Sequence, residues 1–167
     1  MVLLLLNLLG FNLMWFGLVF WGNLFIPIAL VWLCCHLMWI STAPAKEARL
    51  IATISIIGIC VDSALQLSHI FIFDGANLLP FWLITLWFCF SATLCHSLKF
   101  LERSILFQVL TGLLAPLSYI AGYQLNAVEF GLPLIQTYAL LSVVWGLLMV
   151  SFFYIKSRIF EKEYHHV

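Results

Sequence analysis

Met1–Ile40 reads MVLLLLNLLGFNLMWFGLVFWGNLFIPIALVWLCCHLMWI, forty residues without one Asp, Glu, Lys or Arg. No face of such a run suits water. In hydrocarbon every backbone N–H and C=O must be satisfied within its own segment, so an apolar run of this kind becomes helix. About 20 residues cross a bilayer, so the run holds two spans. Trp21-Gly22-Asn23 is its only break, and Trp suits a membrane interface. The first span is placed at residues 2–20 and the second at 24–40. Met1–Leu6 has no basic leader and no small-residue cleavage site follows it, so the start is expected to be a span and not a cleaved signal.

The rest of the chain repeats the pattern. Pro44 marks a loop, and a third span is expected over 48–73. Asp74-Gly75-Ala76-Asn77 reads as a turn. Pro80 suits the first turn of a fourth span at 80–98, where its missing N–H is harmless. A charged loop from Lys99 to Ser104 precedes a fifth span at 105–125, with Pro116 as an internal kink that frees the Gly112 carbonyl. Pro133 opens a sixth span over 132–155, and 156–167 is a charged tail. The expected fold is therefore all-α, a polytopic transmembrane bundle of six spans in a single domain, residues 1–155.

Charge placement supports this arrangement. Under six spans, Lys46, Arg49, Lys99, Arg103, Lys156, Arg158 and Lys162 all fall on one side, and the opposite loops carry only Asp74 and Glu129. Basic loops stay cytoplasmic, so both termini are expected to be cytoplasmic and the tail with them.

Composition excludes several functions. Only 8% of residues are charged and 65% are hydrophobic, too few charges to cover a water-facing surface. Net charge is zero and no basic patch exists for phosphates, so nucleic acid is not an expected partner. Cys34, Cys35, Cys60, Cys89 and Cys95 lie in apolar runs and form no C-x-x-C pair, which argues for packing and against a disulfide framework. Phosphate-binding loops, G-x-S-x-G and H-E-x-x-H are absent from the sequence. Any catalytic site must be assembled from separate helices, and no cofactor is indicated.

Asp62 is the sharpest chemical feature. It lies near mid-span, where a carboxylate costs about 2.5–3.5 kcal/mol and faces the bundle or a water-filled cavity. Ser55, Asp62, Gln66 and His69 are spaced seven, four and three apart, which places them on one helical stripe. With Tyr119 of the fifth span they make a candidate ligand or proton site. The structural alternative is a buried carboxyl group bonded to a neighbouring helix.

His36, His96 and Glu47 form a second candidate, at the inner ends of the second, third and fourth spans, with Glu102 on the next loop. The set suits catalysis, a lipid headgroup or a metal. Its spacing is not a local metal motif, and no metal is expected. Interfacial histidines and an acid at a helix N-terminus also have purely structural uses. Cys35-His36 and Cys95-His96 make a weak internal echo of two hairpins. Most tryptophans suit interfaces, but Trp15, Trp32 and Trp87 sit deep enough to line a pocket.

Glu47 with Gly58 and Asp62, Trp82, T-L-C-H-S-L at 93–98 and G-L-L-A-P-L-S-Y-I-A-G at 112–122 resemble a family of small bacterial inner-membrane proteins known only as a domain of unknown function. That resemblance implies a polytopic protein of the bacterial inner (plasma) membrane with no assigned activity. It also implies genes close to those of lipid-modifying enzymes and of light- and oxidative-stress functions. Three functions follow as expectations. The first is a binder or carrier of a small lipid-like molecule or ion around Asp62. The second is a lipid-modifying membrane enzyme using His36, His96 and Glu47, and the third is an accessory subunit of another membrane protein.

Overall fold

The computed structural model describes residues 2–74 and 78–161. The turn expected at 75–77 and the tail from 162 onward lie outside the described residues. Helix α1 (Val2–Trp21) runs into a tight turn at Gly22–Phe25 and then α2 (Ile26–Cys35). Gly22 has φ +57°, a left-handed conformation open to glycine, and it reverses the chain. The two helices then pack antiparallel: the Trp32 ring sits over Gly10 and the Phe25 ring over Gly17. Past Cys35 the helix widens into a π turn over His36–Ile40, closed by Ser41 N–H to the His36 carbonyl at 3.0 Å.

Helix α3 (Pro44–Leu67) starts with proline in its first turn. It ends well before Phe73, the expected limit. His69 takes a left-handed φ of 55°, Ile70 N–H returns to the Leu65 carbonyl and His69 N–H to that of Gln66, both at 2.9 Å. This bonding pattern closes the helix C-terminus. The chain leaves as a short strand β1 (Phe71–Ile72), which pairs antiparallel with β2 (Glu129–Phe130), Phe71 opposite Phe130. Among the described residues the fold is all-α apart from this ladder, which the apolar runs do not predict.

Helix α4 (Phe81–Ser91) is tied to the α1–α2 turn, since Trp82 N–H donates to Asn23 Oδ1 at 3.1 Å. The helix expected to reach Leu98 ends at Ser91. Residues 92–98 form tight turns, with Thr93 N–H bonding to the Phe90 carbonyl and His96 N–H to that of Thr93. The Thr93 hydroxyl also takes the Phe90 carbonyl, at 2.6 Å, and competes with the helical pattern. Broken helix at this depth is tolerated where protein satisfies the backbone. Asn7 Nδ2 donates to the Ala92 carbonyl at 3.2 Å and Lys156 Nζ to that of Leu94.

After a 3-10 turn at Lys99–Arg103, α5 (Ile105–Leu114) and α6 (Pro116–Gln124) meet at a proline break. The carbonyl taken by side chains there is that of Leu113, which accepts from Tyr138 Oη at 2.9 Å and Ser142 Oγ at 3.3 Å. Those residues belong to α7 (Leu134–Glu161). Lys156 and Arg158, expected in the tail, are helical, and Lys156 is buried.

Two apolar clusters fill the interior. One joins α3, α4 and α7 through Leu50, Ile54, Trp87, Trp145 and Phe152, and the other joins α1, α2 and α4 through Met14, Leu18, Leu33 and Cys89. The outside is apolar as well: Leu9, Leu13, Phe16 and Phe20 on α1 and Ile135, Val143 and Leu147 on α7 are exposed. Among the described residues, four helical tracts are long and apolar enough to cross a membrane: Val2–Ile40, Pro44–Leu67, Ile105–Gln124 and Leu134–Phe160. Such a surface belongs in lipid.

Candidate functional site

Asp62 is 1% exposed and occupied on both oxygens. Trp87 Nε1–H donates to Oδ2 at 2.7 Å, and the Tyr119 hydroxyl donates toward Oδ1 at 3.2 Å and Oδ2 at 3.3 Å. Gly58, one turn earlier on α3, makes this possible: a Cβ there would fall inside the Trp87 ring. Trp87 stacks on Trp145 with centroids 5.3 Å apart, and Tyr119 stacks on Phe71 at 5.2 Å. A buried carboxylate thus sits at the junction of α3, α4 and α6, braced by aromatic rings from α4, α6 and α7.

Trp87 and Tyr119 also wall an aromatic cavity of about 70 Å³. Its lining includes Phe11 and Trp15 of α1, Ser118, Tyr119 and Gly122 of α6, and Trp145 of α7. Ser118 is exposed and Tyr119 partly exposed. Asp62 is one hydrogen bond from two polar members of this wall, Trp87 and Tyr119.

The second cluster lies at the end of the bundle where α2 finishes and α3 begins. His36 Nε2 is 2.6 Å and His96 Nε2 2.9 Å from the same atom, Glu47 Oε1, and the two imidazoles meet edge to face at 4.9 Å. His36 is fully buried, Glu47 is 3% exposed and His96 13%. Asn7 braces the set. Its Oδ1 accepts from Ser97 N–H at 3.2 Å and Ser97 Oγ at 2.7 Å, which turns its Nδ2 toward the Ala92 carbonyl and, at 3.4 Å, toward His36 Nδ1.

A family model described as "protein of unknown function (DUF2878)" matches residues 4–151. The chain belongs to the DUF2878 family. The match covers both clusters and the cavity, and leaves Lys156 beyond its end. No curated protein and no solved structure gives a significant match to this DUF2878 chain.

The structure divides the expected stripe on α3. Asp62 and Tyr119 come together. Ser55 is buried one helical stretch away against Ser91 Oγ, at 3.1 Å. Gln66 is half-buried and His69 is exposed in the turn beyond the helix, while the side chains that reach Asp62 are Trp87 and Tyr119. His36, Glu47 and His96 do converge. Glu102 does not join them and pairs instead with Lys156 at 2.6 Å. Of the deep tryptophans, Trp15 and Trp87 line the cavity, whereas Trp32 packs over Gly10 and beside His36. Sequence reasoning missed Asn7. Its signal was an amide in a leucine run, a residue that must find partners in lipid.

Proposed function

We propose that this is a multi-pass protein of a bacterial inner membrane, with six crossings and both termini cytoplasmic, that binds a small lipid-like molecule in the aromatic cavity. It acts as a binder or carrier and not as an enzyme. The observation carrying this reading is that two polar side chains of the cavity wall, Trp87 and Tyr119, are the same ones that donate to Asp62. Pockets for such ligands are mostly apolar, with a few placed polar groups that fix orientation. At about 70 Å³ the cavity is smaller than pockets that enclose a whole ligand, so the rings take only one end of the hydrocarbon part. A ligand hydroxyl donates to the Tyr119 oxygen, whose own proton is directed to Asp62. Six crossings are supported by the reversal at Gly22 and by the grouping of Asn7, His36, Glu47 and His96 at one end of the bundle, opposite the β1–β2 ladder.

Gly122 supplies the test. A Cβ added there would have only Val128 within 4 Å, at 3.8 Å, so Gly122→Leu adds bulk at the cavity lining from a Cβ that meets no backbone. Mass spectrometry of purified protein should find an apolar molecule retained by the wild type, absent from Gly122→Leu and weakened in Asp62→Asn. Identical lipid content in all three would remove the cavity from the account.

A second reading is favoured by the convergence of His36, Glu47 and His96: a membrane enzyme acting on a lipid at the cytoplasmic face. Lipid extracts of a deletion strain would then lack a product that the parent makes, and matching profiles under light stress would count against it.

A further inference from the structure

The geometry points to a divalent transition-metal site formed by His36, Glu47 and His96. Three separate elements deliver the ligands: the π turn after α2, the first turn of α3 and the turns after α4. One ligand atom from each lies within 4.8 Å of the others. π turns of this kind often mark functional positions, and this one carries His36.

Both Nε2 atoms aim at one carboxylate oxygen, at 2.6 and 2.9 Å. Around a four-coordinate ion with N and O ligands at about 2.0–2.2 Å, neighbouring ligand atoms stand about 3.3 Å apart. To admit the ion, Glu47 therefore needs to withdraw by about half an ångström, and the two imidazole nitrogens, within 4.8 Å of each other, need to close by up to about 1.5 Å. Two imidazoles and a carboxylate, without a thiolate, suit Zn²⁺, Fe²⁺ or Mn²⁺, whereas Mg²⁺ and Ca²⁺ prefer oxygen alone. Cys95 is adjacent in sequence but is not among the converging atoms. Three protein ligands leave a coordination position open, and His96, the most exposed of the set, marks its side.

Asn7 tunes the site. A histidine that ligates through Nε2 carries its ring proton on Nδ1 and gives it to an outer partner. Asn7 presents a nitrogen there, at 3.4 Å, so it yields on loading, and an acceptor in its place would favour the ligating tautomer. The site shares no residue with the aromatic cavity, so either can fail alone.

The test uses tag-free, full-length protein in detergent, titrated with Co²⁺ as a visible probe. The wild type should develop d–d absorption that saturates near one ion per chain, is displaced by Zn²⁺ and survives excess Mg²⁺. His96→Gln should lose it, and Asn7→Asp should bind about tenfold more tightly, the scale of outer-partner effects. The wild-type titration decides even if a variant does not fold. A wild type without d–d bands and without retained zinc overturns the site. Bands of undiminished strength in His96→Gln, or equal or weaker binding in Asn7→Asp, would also contradict it.

Discussion

Trp87 reaches the carboxylate of Asp62, at 2.7 Å, by lying across Gly58 on the same helix. The glycine is the seat of the indole and the aspartate is its latch. Overpacking a filled interior costs about 1–3 kcal/mol, and a Cβ fixed to the backbone cannot move aside. Gly58→Ala should therefore destabilise by an amount near the top of that range, read as a lower thermal midpoint in detergent. Gly146→Ala is the control, because a Cβ there meets nothing within 4 Å. Gly to Ala inside a helix is favourable by about 0.5–1 kcal/mol, so the control should hold or rise.

The Asp62 network should be unequal in its parts. Tyr119→Phe removes the longer contacts, at 3.2 and 3.3 Å, and should cost about 0.5–1.5 kcal/mol. Trp87→Phe removes the short one and empties the space over Gly58, so it should cost more. A double-mutant cycle of Trp87→Phe with Asp62→Asn should show coupling of about 0.5–3 kcal/mol. Additive losses would mean that the two groups do not bond.

Asn7 should matter more than its place in a leucine run suggests. Asn7→Leu leaves the Ala92 carbonyl and the Ser97 N–H without their side-chain partner in a segment that has already left the helix. Each buried polar group so stranded costs about 1–3 kcal/mol. The expected readout is faster amide exchange at Ser97, with α7 unchanged. Unaltered exchange at Ser97 would show that Asn7 does not hold the turn.

Lys156 and Glu102 should behave differently despite being paired. Glu102 is 42% exposed and its pair is close to a surface one, worth about 0–1 kcal/mol. Lys156 is buried and also caps the Leu94 carbonyl. Lys156→Met should therefore destabilise clearly more than Glu102→Gln in the same melt.

Much of this architecture was legible in the residues. Uncharged runs and the breaks at Gly22, Pro44 and Pro116 mark helices and reversals because lipid leaves the backbone few alternatives. His36, Glu47 and His96 could be placed at one level because each falls near the expected end of a span. What escaped depends on contacts between helices. The end of α4 at Ser91 needs Asn7 and Lys156 to take the freed carbonyls, and both come from distant helices. The stripe from Ser55 to His69 follows from a helix carried past Leu67, and the left-handed His69 ends it first. Trp87 as the partner of Asp62 is invisible until Gly58 is seen facing it.

Cysteine labelling tests the membrane arrangement on which both sites depend. Single cysteines would replace Lys46, Lys99, Asp74 and Glu129 in a background free of the native five, and whole cells would be exposed to a membrane-impermeant maleimide. Positions 74 and 129 should label in intact cells, and positions 46 and 99 only after lysis. Labelling of 46 and 99 from opposite sides would contradict the bundle's orientation and the depths assigned to the cavity and to the His36–Glu47–His96 site.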